Sequence, residues 1–301
     1  MARLGIDIHK GGGWRAFRFP DKTCPTDVTP NETAGPKVVY ALERVWVFWV
    51  ENIALNPRVL YLTIDIDETV SAPRPVYIDG VGFLTLTYTP GVLGQTDGVS
   101  LLYYNESTKK FQLTTCTSTL PDAKFTAPIV FGDYDYGKPL ATPTLASLHG
   151  EYRVGFVKQD GDIRIVKPAG DTDTPIVADR TGRTVAADSY QGHLYVAYTR
   201  RPDNVVWLTR VGDANSSSTP IMVPESSANR VTSGVSSAVF RGILHFCHLT
   251  SDDDNGRCFR FDGVAFGPTA PMSTETTKKT LPSLAAASAW DELFSAYACG
   301  P

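Results

Sequence analysis

Apolar and polar residues alternate at every second position along most of this chain, in short runs broken by turns rich in glycine and aspartate. Alternation at period two places the apolar residues on one face of an extended strand. The clearest stretch is 142–168, which reads as a three-stranded meander: TLASL, a turn at His149-Gly150, EYRVGFV, a turn at Gln159-Asp160-Gly161, then DIRIV.

The unit recurs. Candidate second strands are ERVWVFW from Glu43, GFLTLTY from Gly82, GEYRVGF from Gly150, GHLYVAY from Gly192, GILHFCH from Gly242 and DELFSAY from Asp291. Their third positions are apolar (Val45, Leu84, Tyr152, Leu194, Leu244, Leu293), and their seventh are Trp49, Tyr88, Phe156, Tyr198, His248 and Tyr297. Preceding strands rich in Ala, Ser and Val (VVYAL, PVYI, TLASL, TVAAD, SSAVF, SLAAA) suit an innermost position, where strands crowd an axis. The six starts are spaced by 39, 68, 42, 50 and 49 residues. Units of this size predict propeller blades. The long interval predicts a fourth strand plus an inserted loop, placed at 114–141.

The ends complement each other. The last unit stops after its second strand, and ARLGIDIH and WRAFRF at the start read as a third and a fourth. Pairing them would close a ring and remove exposed edges. The expected fold is therefore all-β: a six-bladed β-propeller of four-stranded antiparallel blades, one domain over 1–301. Its repeat units lie near 36–70, 71–120, 141–175, 183–225, 232–270, and 280–301 plus 1–20. LPSLAAASAWDELF has helical propensity, but its alignment with the other units argues for strand.

The loose signature P-x-L-A-x-x-x-G-x-L-x-V-x-Y, followed by Asp-Gly or Asp-Asn and an alternating strand, is carried best by PTLASLHGEYRVGF, TVAADSYQGHLYVAY and LPSLAAASAWDELFSAY. It resembles the repeats of lectin-like six-bladed propellers, the fungal and bacterial fucose-type and tectonin-type lectins, and spans nearly the whole chain. The resemblance implies sugar binding in pockets between blades, lined by Trp, Tyr and Arg.

Composition narrows the rest. A formal charge of −4 and a pI near 5.7 give no footprint for nucleic acid. No apolar run is long enough for a spanning helix, and MARLGIDIHKGGGW lacks an apolar signal region. A cytoplasmic location, or release without a classical signal peptide, is expected. Cys24, Cys116, Cys247, Cys258 and Cys299 have no metal-ligand spacing. Cys247 and Cys258 flank one turn, so they can face each other as two thiols or as a bridge.

Catalytic motifs are missing: no G-x-S-x-G, no phosphate loop, no Asp-box turn, no zinc signature. Lys109-Lys110 and Lys278-Lys279 read as solvated turns. The candidate ligand-binding residues are Trp46, Trp207, Tyr195, Arg153, Arg164, Arg260 and His248, because an aromatic plate beside a guanidinium suits a sugar. Asp133, Asp135, Asp252 and Asp254 are weak candidates for calcium, with too few ligands for a full shell. No other cofactor is expected. The function expected is non-catalytic binding of a carbohydrate or another small-molecule ligand. The alternative is an enzyme at the mouth of the central channel, using acidic loop residues such as Asp97, Asp160, Asp203, Asp252 and Asp254, with or without a divalent metal. A protein-interaction scaffold using the 114–141 insertion is the third reading.

Overall fold

A computed structural model describes residues 2–19, 24–28, 35–51, 58–78, 81–89, 97–118, 124–131, 137–167, 174–201, 203–212, 217–224, 231–250, 256–272, 278 and 280–299. Its strands run in chain order. β1 (Ala2–Lys10), β2 (Gly13–Ala16) and β3 (Thr26–Val28) come first. Blade 1 follows with β4 (Lys37–Ala41), β5 (Arg44–Glu51), β6 (Arg58–Ile64) and β7 (Arg74–Val76). Blade 2 has β8 (Val81–Thr89), β9 (Gly98–Asn105), β10 (Lys110–Cys116) and β11 (Ile129–Val130). Blade 3 has β12 (Thr144–Leu148), β13 (Glu151–Val157), β14 (Asp162–Val166) and β15 (Thr174–Arg180). Blade 4 has β16 (Ala186–Tyr190), β17 (His193–Arg200), β18 (Val205–Val211) and β19 (Ile221–Met222). Blade 5 has β20 (Ser236–Phe240), β21 (Ile243–Leu249), β22 (Gly256–Phe261) and β23 (Ala270–Pro271). β24 (Ser283–Ala287) and β25 (Glu292–Cys299) begin blade 6, and β1 and β2 complete it.

The ring closes as the chain ends require. β1 lies antiparallel to β25, with Leu4 opposite Ala298, Ile6 opposite Ala296 and Ile8 opposite Phe294. The innermost strands touch in the cyclic order β4, β8, β12, β16, β20, β24 and back to β4. β3 bridges β1 and β5, fusing blades 6 and 1 into one sheet. A six-bladed propeller of antiparallel blades is the result.

Local chemistry explains the hairpins. Between the first and second strands of blades 1, 3, 4 and 5, the pairs Leu42-Glu43, His149-Gly150, Gln191-Gly192 and Arg241-Gly242 all have positive φ. Two successive left-handed residues make the turn whose twist matches the flanking strands, and glycine is the residue that tolerates it best. Blade 6 uses a 3-10 turn at Ser288–Trp290 closed by left-handed Asp291, so the helical propensity there is satisfied by a single turn.

Blade 2 corrects the strand order. GFLTLTY forms β8, which lies beside β4 and β12 as the innermost strand, not the second. The second strand is β9, carrying VSLLYY. PVYI falls at β7, the outer edge of blade 1. Alternation identifies strands but not their rank within a blade, which explains the uneven 39- and 68-residue spacings. The 114–141 segment contains the end of β10 and all of β11.

Buried apolar residues sit in the seams between blades. Each strand sends alternate side chains to its two neighbours: Trp46, Phe48 and Tyr61 of blade 1 pack on Val99, Leu101 and Tyr103 of blade 2. Each large side chain withdrawn from water this way contributes roughly 1.5–3 kcal/mol.

Candidate binding clefts

The sequence candidates are not gathered at one place. Trp46 lies in the 1–2 seam, Arg164 on the face of β14 shared with Val166, and Trp207 against the 3–4 seam. Tyr195 lies in the 4–5 seam, and His248 on the blade 5 face that meets it. Arg260 is exposed on the opposite face of blade 5.

Two candidates are core rather than site. Trp46 is fully buried, and its indole N–H donates to the Ala41 carbonyl at 2.9 Å. Tyr195 is buried, with its ring 5.6 Å from Phe261. A ligand could reach either only by parting two blades. Arg153 is buried and held by the Tyr152 carbonyl (3.0 Å) and Glu151 (3.0 Å). Arg164 pairs with Asp162 at 3.1 Å. Trp207 is half-buried, with the Arg200 guanidinium 4.0 Å from its ring centre, so a local cation occupies its face. His248 is buried beside Phe259, and burial, then Arg257, lowers its pKa to about 4. It is neutral at pH 7.

Asp133, Asp135, Asp252 and Asp254 lie outside the described residues. Among the described residues no cluster of three or more His, Cys, Asp or Glu could hold a metal. Asp160 caps its own turn through the Asp162 N–H at 3.0 Å, and Asp203 pairs with Arg200. Both serve turns. Lys278, expected in solvent, is instead buried beside Asp7. Cys247 and Cys258 do stand opposite each other as buried free thiols, with Met272 Sδ 2.9 Å from Cys247 Sγ.

Two concavities among the described residues bear on binding. The first is a cleft of about 130 Å³ at the 4–5 seam, lined by Val223, Pro224, Phe259, Phe266, Gly267 and Thr269, with Pro268 beside them. Its aromatic wall is built locally. Asp262 Oδ1 accepts the Val264 and Ala265 N–H groups at 2.9 and 2.8 Å, which hold its carboxyl below the usual range. That loop returns Phe266 onto Phe261 at 5.0 Å and Phe259 at 6.1 Å. Blade 4 braces the loop: Tyr190 Oη donates to the Asp262 carbonyl at 2.9 Å and also reaches the Gly242 carbonyl at 2.8 Å. Phe266 was missed in the sequence because it lies in a loop outside the repeated strands, and Phe259 because it reads as a buried strand position, which it is.

The second is the axial channel, about 320 Å³, walled by innermost strands that present Ala186, Ala238, Ala285, Ser236 and Ser237 among others. Asp188 lines it. Burial raises its pKa to about 7, against the opposing pull of the Ser189 N–H and the Ser237 hydroxyl. Among the described lining residues it is the sole carboxylate.

No family model matches this sequence, and no curated protein matches it either. Solved structures do match in fold. AofleA from Arthrobotrys oligospora superposes with a TM-score of 0.58 at 10% identity, covering 94% of this chain and 78% of that one. A variant of Aleuria aurantia lectin in complex with alpha-methyl-L-fucoside gives a TM-score of 0.57 at 12% identity, covering 91% and 96%. A glucose dehydrogenase gives 0.54 at 12% identity, covering 83% and 88%. The chain thus has the fold of six-bladed lectin propellers, a fold that an enzyme also uses.

Proposed function

We propose that this chain is a non-catalytic, lectin-like propeller that binds carbohydrate in clefts between blades. The observation that carries the reading is the cleft where half-buried Phe266 stands over buried Phe259, on a fold shared with a fucoside-binding lectin. A sugar places its C–H face against a ring and turns its hydroxyls to the rim. The backbone around Gly267 and Pro268 offers that rim. Glycan-array screening followed by calorimetry tests the proposal. Phe266→Ala is expected to weaken a neutral-sugar hit about threefold to tenfold. No retained glycan at millimolar concentration overturns it.

The placement of Asp188 on the channel wall favours an enzyme instead, since burial pushes its carboxyl up to about 7, where it exchanges a proton near neutral pH. A lone carboxylate lacks the partner that glycoside hydrolysis requires, which ranks this reading second. Turnover by the purified protein that is lost in Asp188→Asn would reverse the ranking.

A further inference from the structure

The 5–6 seam ends in a different cluster, at the side of the ring marked by the Arg241-Gly242 turn. On blade 5, His245 stands directly opposite Arg260, and Phe240 is 5.8 Å from the His245 ring. On blade 6, His9 stands directly opposite Trp14, with the two rings 5.3 Å apart, and His9 is 6.4 Å from Phe240. The two halves thus meet across the seam through the Phe240 ring, and the Arg241 guanidinium lies 5.2 Å from that ring's centre. Arg260 and Arg241 are exposed, Trp14 and His9 half-buried, and the adjacent Gly11–Gly13 turn projects into open space.

The charge balance here is one-sided. Arg241 is paired with Asp291, and Lys10 with Glu292. Deeper in the seam Asp7 is paired with Lys278. Arg260 makes no ion pair among the described residues. Beside it, among the described residues, stand two imidazoles, and the carboxylates of this cluster, Asp291 and Glu292, are already paired. A guanidinium fork, the half-buried His9 imidazole, the buried His245 imidazole hydrogen-bonded to the Phe240 backbone, and the Trp14 plate form a receptor for an anionic group carried on a ring.

We propose that the cluster of His9, Trp14, His245 and Arg260, with Phe240 as its floor, binds a sugar carrying a carboxylate. The sugar part rests on the lectin-like reading, while the site and the charge go beyond it. Arg260 takes the carboxylate, and Trp14 takes the ring face. His9 and His245 supply further donors and gain protons as the anion arrives. Burial first, then Arg241 and Arg260, holds His9 low, and burial, then Arg260 and His9, brings His245 to about 4. A ligand carboxylate offsets those cations and raises both imidazoles. Binding therefore takes up protons, and affinity rises as pH falls from about 8 to 5, by at most about tenfold per pH unit for each proton taken up.

The test is titration of the full chain with glucuronate and galacturonate, with glucose, galactose, benzoate and inorganic phosphate as comparison probes. Histidine NMR signals and calorimetry in two buffers of different ionisation heat are the readouts. Uronates are expected to move the His9 and His245 signals, to bind with proton uptake, and to weaken about tenfold to hundredfold in Arg260→Gln. Phe266→Ala is expected to leave uronate binding unchanged. Uronates that leave both histidine signals unmoved overturn the proposal even if neutral sugars bind elsewhere. So does phosphate or benzoate binding as tightly as the uronates, or neutral sugars moving the same signals equally. Loss of neutral-sugar binding alone removes the cleft at Phe266 and leaves this site standing.

Discussion

The 4–5 and 5–6 seams are built from equivalent strands, yet one is oily and the other charged. In blade 5 the face toward blade 4 presents Leu244 opposite Phe261, Phe246 opposite Phe259 and His248 opposite Arg257. In blade 6 the matching positions hold Leu293 opposite His9, Ser295 opposite Asp7 and Tyr297 opposite Gly5. A stacked phenylalanine pair, ring centres 5.0 Å apart, is thus replaced by a serine and an aspartate. Asp7 is fully buried, accepts from Tyr297 Oη at 2.8 Å, and has Lys278 Nζ 3.0 Å away. The ammonium and the carboxylate form an ion pair with both side chains withdrawn from water. The ammonium also lies 4.4 Å from the Tyr297 ring centre. The lesson is one of specificity. An apolar seam tolerates sliding, whereas a buried ion pair is stable only in one register. The polar seam belongs to the blade assembled from both chain ends.

Breaking the ion pair separates the seams most strongly. Lys278→Met strands a buried carboxylate and is expected to cost about 3–5 kcal/mol in urea unfolding. The double variant Asp7→Leu with Lys278→Met, which makes this seam resemble its neighbour, should recover much of that loss. No recovery would mean that the pair serves packing rather than charge.

Acid is the next lever. The imidazoles of His245 and His248 sit near 4 in the folded chain and near 6.5 unfolded, so between those values the unfolded state binds more protons. Stability should therefore be full above about pH 6.5 and fall as pH drops toward 4, by up to about 3 kcal/mol for each imidazole. His248→Phe should remove the 4–5 share of that dependence and leave the 5–6 share, as followed by thermal unfolding across the window.

A smaller effect is expected at Gly5. A Cβ there would land inside the Tyr297 ring that covers it. Gly5→Ala should cost about 1–3 kcal/mol. The smallest effect falls on the 4–5 seam. Tyr190→Phe removes the hydroxyl donor shared by the Gly242 and Asp262 carbonyls, leaving Asp262 only the Gln191 amide at 3.2 Å, for about 1–2 kcal/mol. It should also loosen the Phe266 loop, read as weaker neutral-sugar binding with uronate binding intact.

The ring and its closure were legible because alternation, turn residues and complementary ends are local signals. Gly192 and Gly242 announced their hairpins, and ARLGIDIH announced its partner. The rank of β8 was not legible, since an inner and a second strand show the same period. Nor was the burial of Lys278, whose carboxylate partner lies at the far end of the sequence. The candidate residues were legible in type but not in placement. Arg260 is exposed on blade 5, and His248 is buried beside Phe259. Trp46 and Tyr195 are packed inside seams, because nothing local distinguishes a ring that faces another blade from one that faces water.

The shared sixth blade also sets an order of events during synthesis. β1 and β2 leave the ribosome before the other strands and can fold back on each other through the Gly11-Gly12 turn. β1 also pairs with β3, but its long partner β25 is made after every intervening blade. Until it arrives the growing chain is an arc with two bare flanks, and Asp7 waits in water for the lysine that will accompany it inside. Release of β25 therefore acts as the latch: a chain stalled before Glu292 presents quality-control machinery with open edges that the finished ring hides.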